Sequence, residues 1–467
     1  MSAPQLTAQE TVERALAASR ADGCIVIATE ISQTNLRWAN NTLTTNGEMR
    51  SRKLAVISVV DGQSGAAAGV IERSAVDAGA IEDLVRRAEK AARDAGPADD
   101  AAPLIEPGAD YGGAASGWAD APTETSAGVF AGFAPALGQT LRRAAGERRL
   151  LFGFAEHTAE TTYLGTATGL RLRTSEPSGR LEVNAKSGDL TKSVWAGEFT
   201  RDFTDVDIPA LDASLQRRLS WADRRVDLEA GRYETLLPPS AVADLMIPLY
   251  WSAGARDSDE GRTVFSKKGG GSRLGESLTD QPVTLRSDPA YPRLETDTFL
   301  AVGGSSSWYS AFDNGVPIGA TSWIDDGVLS GLLCPRSWAE KSGGTPTPFV
   351  NNLIMDGAGK SLDEMISSTE RGLLLTCLWY IRTVDPQTLL QTGLTRDGVY
   401  LIEDGEIAGA VTNFRFNESP VDMLGRITEI GRSEITLPRE WNDWFTRTAM
   451  PPLRVADFNM STVSQAS

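Results

Sequence analysis

The sequence predicts an α+β protein made of several units, from three observations. The chain has 467 residues, and at about 150 residues per domain this length corresponds to two or three units. Asp-Gly dipeptides stand between apolar runs at 61–62, 326–327 and 404–405, and such dipeptides are typical of antiparallel hairpins. Segments with apolar residues at helical spacing are fewer and separate the strand-like runs. We therefore expect two smaller α+β modules followed by a large, mostly antiparallel β domain with inserted helices.

The first module, a small helix and sheet unit, is expected over residues 1–96. Thr7 and Glu10 have the spacing of a capping box and predict the start of a helix. Later runs rich in β-branched residues predict strands, and a run with one apolar helical face predicts a second helix. The predicted strands are residues 24–30, 35–38, 54–60 and 65–71, and the second helix spans 81–95.

A linker or long surface loop is expected over residues 97–120, because this stretch is rich in Ala, Gly, Pro and Asp and has no lasting period. The middle α+β module follows over residues 121–225. Turn residues separate its short apolar runs, which predicts an antiparallel meander between two helices. The predicted strands are residues 150–157, 161–164, 170–174 and 181–185, and the helices span about 129–144 and 211–221.

The C-terminal β-rich domain is expected over residues 226–467. Ser361 and Glu364 form a second capping-box pattern and predict a helix that ends at Gly372. A strand, a Pro-Pro pair and an apolar segment open the domain, and two Asp-Gly hairpins follow. The predicted elements are a strand at 231–237, a buried helix at 241–250, and hairpins pairing 321–324 with 328–333 and 399–403 with 407–414.

Charge and residue counts exclude several classes of function. A net charge of −17 repels a phosphate backbone, so we expect no nucleic-acid partner. No apolar run reaches the roughly 18 residues of a membrane span, and the N-terminus lacks the features of a signal peptide. Cys24, Cys334 and Cys377 are widely spaced, which predicts buried cysteines in a cytoplasmic protein. His157 is the only histidine, so the chain cannot offer two imidazoles to zinc.

Several strings of the sequence are recognisable by their order and spacing. They are residues 361–372 (SLDEMISSTERG), 392–398 (TGLTRDG), 400–405 (YLIEDG) and 413–419 (NFRFNES), with weaker similarity at 36–41 (LRWANN) and 451–458 (PPLRVADF). Together they resemble the TldD/PmbA family of metallopeptidases over nearly the whole chain. The resemblance implies one of two similar subunits: one carries an HExxxH zinc helix, and the other, the PmbA or TldE kind, lacks it.

The zinc helix of this family corresponds to the segment after Pro239. The resemblance places Ile247, Pro248 and Ser252 close to where His, Glu and His would stand. Catalytic zinc needs about three protein ligands and a bound water, with a base to take the proton. Ile247, Pro248 and Ser252 supply neither a nitrogen ligand nor a base. No histidine follows His157, and no cysteine after Cys377 corresponds to the family's C-terminal cysteine ligand. We expect no catalytic residue and no metal in this chain, with zinc only in a partner subunit.

Other constellations have both functional and structural interpretations. Thr395, Arg396, Asp397, Asn413 and Asn417 are the predicted peptide-binding or cavity residues, although the same residue types serve equally in turns between strands. An acidic cluster at 257–260 and a Gly-rich loop at 267–271 are interpreted as surface loops, and the resemblance gives the Gly-rich loop an alternative place beside a substrate channel. Serines at 305–307 could act as nucleophiles only with a base within reach, and no motif supplies one. The aromatic residues of 441–445 predict a helical stripe, either packed or anchoring an interface.

The resemblance implies a non-catalytic subunit of a cytoplasmic peptidase complex. A zinc-bearing TldD-like partner would cut peptides, and this chain would enclose and bind them. The first alternative is a homodimeric peptide-binding module that acts without a protease partner. A second is a hydrolase with an unrecognised nucleophile. Metal-dependent cleavage by the isolated chain would reject the hypothesis of a non-catalytic subunit. The mass of the native complex would distinguish a complex with a partner chain from a homodimer.

Overall fold

The computed structural model describes residues 6–108, 111 and 114–464. Four residues of the predicted linker, 109, 110, 112 and 113, lie outside the described residues. The α+β class is confirmed. The division into domains stays a prediction, although strands of the first two predicted modules lie side by side in one sheet.

The first half of the chain forms a seven-stranded sheet with the order β3-β2-β1-β4-β6-β7, and β5 also pairs with β4. Its strand pairs are antiparallel, and four helices accompany the sheet. The helices are α1 Ala8–Ala18, α2 Ile81–Asp94, α3 Ala134–Gly146 and α4 Ile208–Trp221; the strands are β1 Gly23–Ala39, β2 Thr42–Gly62, β3 Gly65–Ser74, β4 Arg149–Thr166, β5 Arg171–Ser175, β6 Ser178–Ser187 and β7 Ser193–Thr200.

The second half contains a six-stranded sheet, ordered β12-β11-β10-β13-β22-β21, and a ten-stranded sheet, ordered β15-β16-β19-β23-β9-β14-β17-β18-β8 with β20 beside β23. The strands are β8 Arg225–Val226, β9 Gly231–Leu237, β10 Leu285–Ser287, β11 Thr321–Asp325, β12 Val328–Leu329, β13 Leu353–Met355, β14 Arg371–Leu375, β15 Leu378–Asp385, β16 Leu390–Thr395, β17 Val399–Glu403, β18 Glu406–Val411, β19 Phe414–Glu418, β20 Ile427–Ile430, β21 Glu434–Thr436, β22 Thr448–Met450 and β23 Leu453–Val463; the helices are α5 Pro239–Trp251, α6 Ala255–Asp259, α7 Arg336–Ser342, α8 Leu362–Ser367 and α9 Pro420–Leu424.

Helix α5 lies in the largest core of the second half. Ten consecutive residues, 241–250, are buried, as expected for a helix that is apolar on all sides. Side chains from both C-terminal sheets pack with it, including Leu285 and Val350 near one sheet and Phe414 and Phe458 in the other. The helix predicted over 241–250 is therefore confirmed as a buried core element.

The local signals at the turns and caps are mostly confirmed. Both predicted capping boxes form, with Thr7 accepting from the Glu10 N–H and Ser361 from the Glu364 N–H. The hairpins at Asp326-Gly327 and Asp404-Gly405 are present, and all four residues have positive φ, as turns of this kind require.

Several predicted element boundaries are wrong, among them β2, which begins at Thr42 rather than residue 54, and β12, which ends at Leu329 rather than residue 333. Residues 24–30 and 35–38 belong to one strand, β1, and residues 150–157 and 161–164 belong to β4, because pairing along both edges continues through the polar residues between the apolar runs. Helix α3 begins only at Ala134, since Pro135 takes a first-turn position. Helix α8 ends at Ser367, because pairing with β9 and β17 draws residues 371–375 into a strand.

The aromatic segment 441–445 forms a turn rather than the predicted helix. The Trp444 and Phe445 N–H groups both donate to the Trp441 carbonyl oxygen at 2.9 Å and close one turn. The chain then enters β22 at Thr448. We call residues 439–445 the aromatic turn, because it carries three large aromatic side chains between α5 and the first sheet.

Candidate functional site

Helix α5, the segment that corresponds to the family's zinc helix, is buried in the core. Ile247 and Pro248 are buried, and the Ser252 hydroxyl donates to the Pro248 carbonyl oxygen at 2.8 Å. An aliphatic chain, a proline ring and an engaged hydroxyl do not match the nitrogen, sulfur or carboxylate ligands that zinc takes. The residues present at this position therefore do not fit a zinc ion.

The only histidine of the chain, His157, is engaged in hydrogen bonds in the first sheet. His157 lies in β4, where its Nδ1 is 2.7 Å from the Thr125 hydroxyl and its Nε2 is 2.9 Å from the Arg201 carbonyl oxygen. Burial lowers the pKa of the ring, opposed by the hydrogen bond to Arg201 and the charge of Asp202. A neutral, doubly hydrogen-bonded histidine is a satisfied structural residue. Across the residues that the structure describes, no three His, Cys, Asp or Glu side chains stand together as a metal site.

Pro248 interrupts the hydrogen bonding of α5, and the aromatic turn repairs it. Proline has no N–H, so the carbonyl of Asp244 loses its partner four residues along the helix. The indole Nε1 of Trp441 donates to this carbonyl oxygen at 2.8 Å. The Asp244 carboxyl also accepts from the Glu440 N–H at 2.8 Å. These bonds fix the aromatic turn against α5.

The predicted peptide-binding residues meet in part around a cavity of about 870 Å³, which we call the first cavity. Arg396, Asp397 and Asn413 line it, between strands of the first sheet and the edge of the ten-stranded sheet. Arg396 and Asp397 follow β16, and Asn413 precedes β19, which is its neighbour in the sheet. Adjacent strand ends therefore bring these residues together.

Two of the five predicted residues lie elsewhere. Thr395 is buried, and its hydroxyl accepts from the Phe414 N–H at 2.9 Å. Asn417 lies further along β19, and its backbone carbonyl accepts from the Asn459 side chain at 3.1 Å. Neither residue lines the first cavity. Thr395 and Arg396 are neighbours along the chain, and neighbouring strand residues point to opposite faces. Asn417 is instead separated by distance, because it lies four residues further along the extended chain than Asn413.

The turn that presents Arg396 and Asp397 depends on a close backbone approach. Asp397 has a φ of 57°, and the Gly398 carbonyl accepts from the Thr376 N–H at 2.8 Å. A Cβ atom at Gly398 would lie 1.7 Å from the Thr376 hydroxyl oxygen. Only glycine fits so near another chain segment. The strand connection is thereby held against β14 and β15 and keeps the two charged residues at the cavity.

The first cavity is locally basic although the chain is acidic. Six charged side chains line it, and four of them are positive: Lys186, Lys192, Arg225 and Arg396, with Asp227 and Asp397 as the negative ones. The sequence analysis missed the three basic residues other than Arg396. Alternation along β6 puts Asn184 and Lys186 on one face, but only the tertiary structure brings that face to Arg396. Such a surface favours the carboxylates and carbonyls of a peptide.

An arginine between two indole rings supports one wall of the first cavity. The Arg439 guanidinium carbon lies 3.7 Å from the ring centre of Trp379 and 5.2 Å from that of Trp195. The Glu440 carboxylate, next in the aromatic turn, accepts from the Tyr380 N–H at 2.9 Å. Trp379 and Tyr380 line the cavity, and Tyr380 is 50% exposed. The wall therefore presents an accessible aromatic ring on a fixed backbone.

A second cavity, of about 560 Å³, was not anticipated from the sequence. It lies beside the aromatic turn and is lined mainly by aromatic rings, with Asp297 and Asn351 among its polar residues. Residues 308, 309, 441 and 444 stood out as aromatic in the sequence, but nothing local indicated that they share a wall. Trp251 and Asp297 carried no sequence signal at all.

The remaining sequence candidates have structural roles. Asp257 pairs with Arg262 at 3.0 Å, and the Asp259 carboxylate accepts from the Trp338 indole at 2.9 Å. The Ser305 hydroxyl accepts from the Ala311 N–H at 2.9 Å. Glycines 269–271 have positive φ and open space around them, which fits a surface loop.

The three cysteines and the helices agree with two further predictions from the sequence. Cys24, Cys334 and Cys377 are buried and unpaired, as predicted. Burial raises the pKa of the Cys24 and Cys334 thiols to about 11, so they are protonated and unreactive. Within the described ranges, no helix has the length and apolar character needed to cross a membrane.

The fold is that of a large α+β protein, with an antiparallel first sheet and a C-terminal unit of two sheets around a buried helix. Residues 24–92 match the model of PmbA/TldA metallopeptidase domain 1, and residues 230–462 match that of the PmbA/TldA metallopeptidase C-terminal domain. The chain therefore belongs to the PmbA/TldD metallopeptidase family.

Solved structures share the fold over almost the entire chain. TldE from Thermococcus kodakarensis has a TM-score of 0.77 at 16% identity, covering 96% of this chain and 98% of that one. A Thermotoga maritima protein described as a candidate modulator of a DNA gyrase has a TM-score of 0.76 at 19% identity, covering 97% and 99%. A Bacteroides thetaiotaomicron protein described similarly reaches 0.71 at 16% identity, covering 98% of each chain. No curated protein matches by sequence.

Proposed function

We propose that this chain is a non-catalytic subunit of a PmbA/TldD-type metallopeptidase, which binds peptide substrates for hydrolysis by a zinc-bearing partner. One observation carries the proposal. Helix α5, where the family's zinc motif belongs, has a buried apolar surface and a proline, while the only imidazole is engaged by Thr125 and Arg201. The chain thus has the family's architecture without the donor chemistry that a catalytic zinc requires.

Peptide binding is assigned to the first cavity. Its volume of about 870 Å³ lies within the range of ligand sites, roughly 300–1,000 Å³. Arg396 supplies a planar guanidinium suited to carboxylates and carbonyl oxygens, Asn413 supplies an amide, and Tyr380 offers an exposed ring. An extended peptide with a free or side-chain carboxylate suits this combination. We also propose a cytoplasmic location, in keeping with three buried free thiols.

The test compares the chain alone, a zinc-bearing family subunit alone, and the two mixed. Zinc content, native mass and cleavage of an unstructured peptide are measured for each. We expect no stoichiometric zinc and no cleavage in the lone chain, and a complex of both chains that cleaves. Zinc-dependent cleavage by the lone chain would reject the proposal. A native complex that contains only this chain would instead support the homodimeric module.

Binding is tested with a fluorescent peptide and two matched arginine variants. Arg396→Ala removes a guanidinium of the first cavity, and Arg415→Ala removes an exposed one on neighbouring β19, outside the cavity. We expect Arg396→Ala to weaken binding about tenfold, since a charge-assisted hydrogen bond contributes about 1.5–3 kcal/mol. Arg415→Ala should leave the affinity unchanged. Equal effects of the two variants would argue against the first cavity.

A further inference from the structure

The second cavity has the composition of a site for an organic cation. Four indole rings line it, and three of them form a connected series: Trp251 and Trp441 have ring centres 5.2 Å apart, and Trp441 and Trp444 have ring centres 6.3 Å apart. Trp308 stacks on Phe349 at 6.1 Å on another side. The faces of aromatic rings attract a cation brought within about 6 Å of their centres.

Asp297 adds a negative charge to this aromatic wall. The side chain is half-buried, and one carboxylate oxygen accepts from the Thr174 hydroxyl at 3.0 Å. Burial raises the pKa of Asp297, while the Thr174 hydrogen bond and the charge of Arg447 oppose that increase. Arg447 itself donates to the Glu176 backbone carbonyl at 2.9 Å and does not line the cavity. A bound cation would therefore meet a carboxylate that is short of solvation.

An acidic trough continues from the second cavity. A neighbouring cavity of about 290 Å³ shares Asn351 and Trp444 with it. Glu156, Glu160 and Asp443 line this extension, and Arg180 is its one cationic side chain. Arg180 pairs with Asp443 at 2.6 Å and with Glu156 at 3.4 Å. Glu160 and Asp297 are therefore the carboxylates of the two cavities that this arginine does not pair with, although the charge of Arg447 acts on both.

The accessible rim of the cavity is Trp444, whose side chain is 69% exposed. Isolated apolar residues are common on protein surfaces, but a large exposed ring next to other indoles and carboxylates is unusual. The aromatic turn holds Trp444 in place, because Trp441 is bonded to α5 and Asn442 and Asp443 accept from Arg180. The ring is thus presented on a rigid support.

We propose that the second cavity binds a lysine or arginine side chain of a peptide, with the indoles around the cation and Asp297 as its counter-ion. Charge complementarity decides for this occupant. Four carboxylates and one guanidinium line the cavity and its extension, so an acidic ligand would be repelled. An uncharged apolar ligand would desolvate Asp297 further and bring no positive charge to it. The inference rests on the proposed function only in taking a peptide as the ligand.

The experiment measures the affinity ratio of two labelled Gly-Ser peptides that differ at one central residue, lysine or norleucine. Fluorescence anisotropy gives both dissociation constants for the full chain. We expect the lysine peptide to bind about tenfold more tightly, since a cation–π contact with desolvation contributes about 1–2 kcal/mol. Asp297→Asn and Trp444→Ala should each reduce the ratio to about two or less.

Two matched variants keep the test specific. Glu198→Gln removes another half-buried carboxylate with a raised pKa, and Leu274→Ala removes another exposed apolar side chain, which lines neither cavity. Both should leave the ratio unchanged. A ratio near one in the unmodified chain, or a ratio that survives both cavity variants, overturns the inference while peptide binding stands. Failure of both peptides to bind rejects peptide binding itself.

Discussion

Glu198 lies on β7 in a position that disfavours its charge. Burial, with the negative charges of Asp205 and Asp207 nearby, raises the pKa of its carboxyl from 4.5 to about 7. The carboxyl of the unfolded chain therefore loses its proton at a lower pH than that of the folded chain. By linkage, the contribution of Glu198 to stability is complete below pH 4.5 and is lost as the pH rises towards 7.

Glu198→Gln should remove this pH dependence. Relative to the unmodified protein, we expect the variant to gain about 2–3 kcal/mol in free energy of unfolding between pH 4.5 and 7, because each pKa unit corresponds to about 1.4 kcal/mol. Urea unfolding at a series of pH values measures the difference. A constant difference over this range would show that Glu198 titrates normally in the folded chain.

At the scale of elements, α5 and the aromatic turn form one structural pair. Pro248 deprives the Asp244 carbonyl of its helical donor, and the Trp441 indole takes that role. The sequence alone shows that Pro248 lies within the apolar segment predicted to form this helix. The sequence does not show that Trp441 donates to the Asp244 carbonyl, because the two residues are 197 positions apart and the aromatic turn has no regular period.

A double-mutant cycle tests this pairing. Trp441→Phe should destabilise the protein by about 1–3 kcal/mol, part of which is the cost of an unbonded buried carbonyl. In the Pro248→Ala background the helix recovers its own N–H donor, so the same Trp441→Phe change should cost about 1 kcal/mol less. Urea unfolding of the four proteins gives the coupling. Equal costs in both backgrounds would mean that the indole contributes packing alone.

At the scale of the whole molecule, the first sheet is joined to the C-terminal unit through the aromatic turn. Arg439 stacks between Trp195 of β7 and Trp379 of β15, and it lies 3.5 Å from the Glu182 carboxylate. Arg180 of β6 bonds to Asn442 at 2.8 Å. These contacts lie next to both cavities. The aromatic turn therefore both connects the first sheet to the C-terminal unit and positions residues of the two candidate sites.

Arg439 should therefore matter for the stability of the whole chain. Arg439→Ala is expected to lower the free energy of unfolding by about 2 kcal/mol, through two lost cation–π contacts. Arg439→Lys keeps the charge but not the planar group, so it should recover less than half of this loss. Denaturant unfolding followed by tryptophan fluorescence measures both. Full recovery by lysine would indicate a purely electrostatic role.

The sequence by itself determined the fold class, the capping boxes, the Asp-Gly turns at 326–327 and 404–405, and the lack of imidazole ligands. These properties depend on residues close together in the chain, or on residue counts. The third Asp-Gly pair, 61–62, lies in β2, and the turn of that hairpin is at 63–64. Only the tertiary structure decided where strands merge, that Arg396, Asp397 and Asn413 share a cavity with Lys186, and that Asp297 stands among tryptophans. Such groupings join strands and turns far apart in sequence, and their geometry follows from sheet pairing and core packing, which no local pattern encodes.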